Sequence, residues 1–349
     1  MGNAKGAGRR LVEGSPDFRF RISKRILSIF TVAAITVGCA FAQNELEVQQ
    51  VRPNFYMISG AGSNIAVQTG PDGTIVVDSG SAATSEAVVA AIRKISNNHF
   101  IRYVINTSAD PDHVGGNDKV AQSGRTIFTI VENARGNLTS SMTNGGAAAI
   151  FAYESVLLNM SAPTGQNSAF PTASWPTETY NQKRWFMYFN GEGLEIEHPP
   201  AAHSDGDTIV FFRKSDVVAA GDIVDATRFP VINLERGGSI QGEIAALNRL
   251  LELVIPNIPL IWESGGTYVI PGHGRVYDYA DLVEYRDMIT VIRDRIENMI
   301  KQGMTLDQIK AASPTQGYTR QYGSDSGPWT TNMFVEAIYK SLTQKAKSE

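Results

Sequence analysis

The chain has 349 residues, 42% of them hydrophobic and 19% charged, a globular composition that excludes collagen-like, coiled-coil and wholly disordered classes. Without residues 1–42, 24 basic and 33 acidic residues remain, a net charge of −9, and that sign disfavours nucleic acid and anionic membrane as partners. The single cysteine, Cys39, falls within those 42 residues, so the remainder can hold a metal only through histidine and carboxylate side chains.

In chain order, residues 1–25 carry seven basic residues (Lys5, Arg9, Arg10, Arg19, Arg21, Lys24, Arg25) against Glu13 and Asp17. The apolar run ILSIFTVAAITVGCAFA (26–42) follows and ends Ala40-Phe41-Ala42. A basic leader, an apolar core and an A-x-A end predict an export signal cleaved before Gln43, hence a periplasmic or secreted protein. The run is short for a bilayer span. A retained membrane anchor over 26–42 is the alternative, and lipid modification at Cys39 a further one, although TVGC lacks the leucine of a good lipobox. Residues 43–349 read as one domain, with no stable membrane span once the leader is cut.

Short β-rich runs at 55–59, 63–69 and 74–80 are separated by Gly-rich turns. A helix is predicted over 85–95, a buried strand over 103–108 and another strand over 126–130. Residues 131–184, rich in Gly, Ala, Ser, Asn and Thr, predict a loop-rich insertion with a short helix. A hairpin around Asn190-Gly191 (184–198) and a second turning at Lys214–Asp216 (208–222) follow. A helix is expected over 241–254, then a strand over 267–274. The C-terminal part, 281–345, is helical. Leu282, Tyr285, Ile289, Ile292, Ile296 and Met299 form one apolar stripe there, and Thr305 with Gln308 a capping box. Two rounds of strands followed by helices predict two sheets packed face to face with helices outside.

Of five histidines, three sit in distinctive settings at strand ends: His113 in NTSADPDHVGGN, His203 in HSDGD and His273 in PGHG. Asp222 ends the strand AAGD between the last two. His99 fits a surface or helix-end role and His198 a structural one. Asp78, in VVDSG, reads as an internal hydrogen-bond anchor beside the site, and Asp207 as the residue that fixes the turn after His203.

These blocks, in the order VVDSG, NTSADPDHVGG, HSDGD, AAGD and PGHG, resemble the metallo-β-lactamase superfamily over nearly the whole chain after the leader. The resemblance implies an α+β fold, a four-layer αββα sandwich, with a metal site at one edge of the sheets. It also implies that Asp112, His113, Asp222 and His273 form a main metal site. The family's first block, H-x-H-x-D-H, is here S-x-D-x-D-H: Ser108 and Asp110 replace two histidines. That leaves Asp110, His203 and the shared Asp222 as a degenerate second site, with Ser108 lining it. The main set suits one zinc ion; a second ion, or Mn, Fe or Mg, is the alternative, the harder ions suiting the degenerate set.

The expected activity is a metal-dependent hydrolase. Metal-activated water attacks an ester, lactone, thioester or amide-type bond of a small molecule, with Asp112, Asp110 and His203 as the candidates that orient or deprotonate it. A catalytically impaired or purely binding member of the same fold is the alternative. True β-lactamase activity is disfavoured, since Arg275 is the only basic anchor beside PGHG. A Ser108 nucleophile with His203 as base is disfavoured too, for want of a G-x-S-x-G elbow. Substrate identity and oligomeric state leave no mark in the sequence.

Overall fold

The computed structural model describes residues 46–126, 129–132, 138–141, 146–162, 168–258 and 265–345. The leader, with its alternatives at 26–42 and Cys39, lies outside the described residues. No helix among the described residues is long and apolar enough to cross a membrane.

β1 (Glu47–Arg52), β2 (Phe55–Ala61), β3 (Ser63–Gly70) and β4 (Gly73–Val77) form an antiparallel meander. α1 (Ser85–Ile95) crosses to β5 (Ile101–Ile105), which pairs parallel with β4. α2 (Pro111–Val114) and α3 (Asn117–Gln122) carry the first metal-binding block away from β5. β6 (Thr129–Glu132) and β7 (Leu138–Ser141) make a separate two-stranded ribbon, so the strand expected at 126–130 stays out of the main sheets.

The loop-rich expectation for 131–184 misses two strands of the main sheet. β8 (Ala149–Tyr153) pairs parallel with β5, and after α4 (Glu154–Ser161) β9 (Glu178–Tyr180) pairs parallel with β8. They complete a seven-stranded sheet in the order β1-β2-β3-β4-β5-β8-β9. AIFAY is almost wholly buried and so lacks polar alternation, and a five-residue run without a period does not stand out from Ala- and Gly-rich surroundings.

β10 (Arg184–Phe189), β11 (Glu192–Glu197), β12 (Ile209–Phe212), β13 (Val217–Asp225) and β14 (Tyr268–His273) form the second sheet in chain order. The β10–β11 loop is Asn190-Gly191, with φ of 51° and 75°; these two residue types tolerate the left-handed turn that matches strand twist. α5 (Ile240–Leu253) crosses from β13 to β14, which lie parallel. α6 (Tyr279–Lys301), α7 (Leu306–Ala311), α8 (Thr319–Tyr322) and α9 (Thr331–Lys345) complete the chain. Capping boxes at Asp278/Asp281 and Thr305/Gln308 start α6 and α7.

Three apolar layers account for the stacking. Phe55, Ile105 and Phe151 of the first sheet meet Leu194, Phe212 and Ile270 of the second. Val88 and Ile92 of α1 and Val120 of α3 cover the outer face of the first sheet. Leu247, Ile289 and Phe334 of α5, α6 and α9 cover the outer face of the second. The result is the αββα sandwich, and the C-terminal ends of β4, β5, β13 and β14 open on the same edge.

One buried group has no compensation. Glu243, in the first turn of α5, is wholly buried, and neither carboxylate oxygen has a hydrogen-bond partner among the described residues. Burial, with the neighbouring Asp207 carboxylate, pushes its pKa well above the ordinary glutamate value. The folded chain therefore keeps a proton that the unfolded chain releases above about pH 4.3, and stability falls as pH rises from there. Glu243→Gln removes this loss. Denaturant unfolding at matched metal content is expected to show the variant about 1–3 kcal/mol more stable at pH 8 and nearly equal to wild type near pH 4.

Candidate metal centre

Chain topology brings the far-separated motifs together. Asp78 follows β4 directly, β5 runs into Thr107–Asp110 and α2, Asp222 lies near the end of β13, before Asp225, and β14 ends with His273. Asp78 adopts φ of 64°, a left-handed conformation that aspartate tolerates. From there it accepts hydrogen bonds from the Thr107 amide (2.8 Å) and hydroxyl (2.6 Å), and its Oδ2 lies 2.8 Å from His113 Nδ1. The Nδ1–H of His113 thus donates to a carboxylate, which leaves Nε2 as the ring nitrogen facing Asp222 and able to ligate.

That Nε2 lies 3.1 Å from Asp222 Oδ1, and His273 Nε2 lies 3.3 Å from the same oxygen and 3.3 Å from Asp112 Oδ2. The two imidazole rings stand nearly perpendicular, at 79° with centroids 5.8 Å apart. His113 Nε2, Asp222 Oδ1 and His273 Nε2 are buried without a hydrogen-bond partner among the described residues. Three orphaned donor atoms converging on one point, with Asp112 alongside, fit a divalent ion such as zinc. The α-carbon of Gly272 leaves room for this: a Cβ there would sit 2.1 Å from Asp222 Oδ1. Ser63 on β3 donates to the Asp112 carbonyl (2.8 Å), and Asn64 donates to the carbonyls of Pro271 (3.0 Å) and Gly274 (2.8 Å). These two β3 residues clamp both ligand-bearing loops, and the sequence offered no motif to single them out.

The degenerate half is arranged differently. Asp110, His203 and Asp222 offer ligand atoms within 4.8 Å of one another, as do Asp112, His113 and His273. Yet His203 Nε2 is 2.7 Å from Asp110 Oδ2, and its Nδ1 is 2.7 Å from the Val231 carbonyl. The other oxygen of Asp110 accepts from Arg236 Nη1 at 2.9 Å. Asp110 and His203, expected as water-orienting groups, are thus committed to each other and to Arg236. Ser108 is buried, and its hydroxyl accepts from the Asp110 amide at 3.2 Å. Both His203 nitrogens being engaged elsewhere, Ser108 has no base.

The electrostatics follow the same pairing. Burial opposes charging of the imidazoles, but Asp222 and Asp78 hold His113 well above the ordinary histidine value. Against the same opposition, Asp112 and Asp222 raise His273 to about 9, and Asp110 raises His203 to about 10. Burial also opposes ionisation of Asp222, and His113 and His273 outweigh it, holding that carboxyl well below its usual range. A cation bound among these residues would take the place of the imidazole protons.

Other residues fall into supporting places. Asp207 accepts from the Ser204 amide and hydroxyl, both at 2.8 Å, which fixes the turn after His203. His198 stacks on Tyr153 with centroids 3.6 Å apart and bonds the Asp207 carbonyl. His99 lies on the surface, with Nδ1 2.8 Å from the Gly70 carbonyl. Arg275 is paired with Asp281 through two contacts of 2.7 and 2.6 Å, so it is not poised to anchor a substrate carboxylate.

The model of the metallo-beta-lactamase superfamily matches residues 59–275. A linear primary-alkylsulfatase from Pseudomonas sp. (strain ATCC 19151) is 23% identical over 277 residues, covering 71% of this chain and 50% of the relative. Among solved structures, a double mutant of the sec-alkyl sulfatase PisA1 superposes with a TM-score of 0.61 at 14% identity, covering 86% of this chain and 50% of that one. A metallo-beta-lactamase from Pontibacter korlensis gives 0.50 at 15% identity, covering 70% of this chain and 99% of that one. The chain spans about half the length of the alkylsulfatases it matches.

Proposed function

Because the chain belongs to the metallo-beta-lactamase superfamily, we propose that it is a metal-dependent hydrolase of small molecules bearing an ester-type bond, using one divalent ion, zinc first among candidates. The observation that carries this reading is the convergence of His113 Nε2, Asp222 Oδ1 and His273 Nε2, all buried and unpartnered among the described residues. These atoms and Asp112 would hold the ion, which when bound would supply a Lewis acid to water and to the scissile bond. Asp78 fixes the His113 tautomer. Asp112 is the member of the set most open to solvent, with its side chain 35% exposed. Its carboxyl is held below the usual range because His273 and His113 outweigh the opposing effect of burial. Ionised and open to solvent, it can accept a hydrogen bond from water and orient it, a role that Asp110 and His203 give up to their mutual pairing.

The likeness to alkylsulfatases puts alkyl sulfate esters first among substrates to assay, ahead of lactones, thioesters and amides. The leader at 1–42 supports export as the place of action. Purified protein loaded with zinc is expected to hydrolyse at least one ester class in that panel, to lose the activity with a chelator and to regain it on reloading. No turnover across the panel at full metal occupancy would favour the binding-only alternative, for which the ion-paired Asp110, His203 and Arg236 are the supporting observation.

A further inference from the structure

We propose that the Arg236 guanidinium is a built-in cation standing where the family's H-x-H histidines would hold a first metal, so that this protein admits one ion and excludes a second. The inference rests on the metal-dependent reading above.

Arg236 was not singled out by the sequence. It closes a 3-10 turn, Leu234–Arg236, in the loop between β13 and α5. Its side chain reaches Asp110, 126 positions away, with Nη1 2.9 Å from Oδ1. The second Asp110 oxygen is taken by His203 Nε2 at 2.7 Å, and the far nitrogen of that ring by the Val231 carbonyl. Both oxygens of Asp110 and both ring nitrogens of His203 are therefore engaged within the protein. Ser108 cannot compensate: a neutral hydroxyl is a poor ligand, and here it accepts from the Asp110 amide.

The loop that carries Arg236 is fastened to the loop that carries His203. The Asn233 side chain caps the turn by accepting from the Arg236 amide (3.1 Å). The Asn233 amide donates to the His203 carbonyl (2.9 Å), and the Asp205 amide donates to the Arg236 carbonyl (2.7 Å). Gly238 lets the two loops lie flush, since a Cβ there would meet the His203 carbonyl at 2.2 Å. The Asn233 and Asp205 bonds fasten the backbone of Arg236, its guanidinium is held by Asp110 through Nη1, and it carries its charge at every working pH. The contrast with the other half is one of geometry: there His113 Nε2, Asp222 Oδ1 and His273 Nε2 meet at 3.1–3.3 Å without a formed hydrogen bond among the described residues, whereas here the contacts are hydrogen bonds of 2.7 and 2.9 Å. Arg236 acts through Asp110 and is a positioning residue.

Metal stoichiometry decides the matter without an assay of turnover. Wild type, Arg236→Lys and Arg236→Met are each equilibrated with excess zinc, desalted and analysed by mass spectrometry for metal. Cobalt-loaded samples are followed by visible absorption, and circular dichroism reports the fold. Wild type and Arg236→Lys are expected to retain one equivalent. Arg236→Met, which keeps the side-chain bulk and removes the charge, is expected to take up a second equivalent and a second set of cobalt bands. Two equivalents in wild type would overturn the inference while leaving the metal-dependent reading intact. Folded Arg236→Met staying at one equivalent would overturn it as well. Zero in wild type would overturn the metal reading and this inference together. If Arg236→Met does not fold, the neutral Arg236→Gln is read in its place: a second equivalent is expected, and one equivalent in the folded variant would overturn the inference.

Discussion

His273→Ala is expected to abolish metal retention and to lower turnover by about 10³-fold or more. The ion's stabilisation of developing charge is worth several kcal/mol, and about 4 kcal/mol corresponds to that factor. The imidazole of His273 lies within 3.3 Å of both Asp112 and Asp222 at the tip of β14. Removing it leaves the two carboxylates without the nitrogen that completes the set, and takes little apolar contact from the core. Far-UV circular dichroism and the melting temperature should therefore stay near wild type at matched, metal-free conditions, while metal analysis and kcat/KM collapse together. Asp222→Asn is expected to behave alike, because it removes the negative charge shared by His113 and His273. Turnover within about tenfold of wild type in a metal-free His273→Ala protein would separate the metal centre from the active site.

Asp78→Ala is expected to act on two properties at once. Asp78 is 2% exposed and bonded to the Thr107 amide, the Thr107 hydroxyl and His113 Nδ1. Its loss strands buried donors, which costs about 1–3 kcal/mol each. The summed destabilisation, read from denaturant unfolding, is expected at about 2–4 kcal/mol, the range for breaking a buried hydrogen-bonded network. Metal affinity should fall by about 10- to 100-fold, because His113 loses the partner that fixes its tautomer and ring orientation. Asp78→Asn separates the two effects: it retains an acceptor for the Thr107 amide and loses the charge facing His113. Unchanged metal affinity in both variants would confine Asp78 to holding β4 and β5 together.

Much of this site was legible in the chain because its determinants are local. A histidine or aspartate immediately after an apolar strand, flanked by glycine, is a pattern of adjacent residues. His273, the last residue of β14 between Gly272 and Gly274, comes nearest to such a setting, and Asp222 follows Gly221 within β13, whereas Asp112 and His113 lie on α2, beyond β5. The helical stripe Leu282–Ile296 was legible for the same reason, since its period lies within one element. β8 was hidden because a short strand buried on both faces has no alternation to read, and β9 because three residues, Glu178 and Thr179 of them exposed, are too few to show a period. Ser63 and Asn64 were hidden because they act by hydrogen bonds to carbonyls of distant loops, which no residue type announces.

By itself the sequence indicated two sheets with helices outside, and its resemblance to the superfamily made Asp112, His113, Asp222 and His273 the candidate ligands of a main metal site. Hydrophobic periodicity carries the first, and the absence of cysteine after residue 42 limits any donors to imidazole and carboxylate. Only the tertiary structure decided what became of the other half. The substitutions at Ser108 and Asp110 predict a weakened site, but not that Asp110 would be held between His203 and Arg236. That outcome depends on the loop carrying Arg236 being fastened to the loop carrying His203 and on the Arg236 side chain reaching Asp110, 126 positions away. A charge brought in through space leaves no trace in the spacing of the motif it completes.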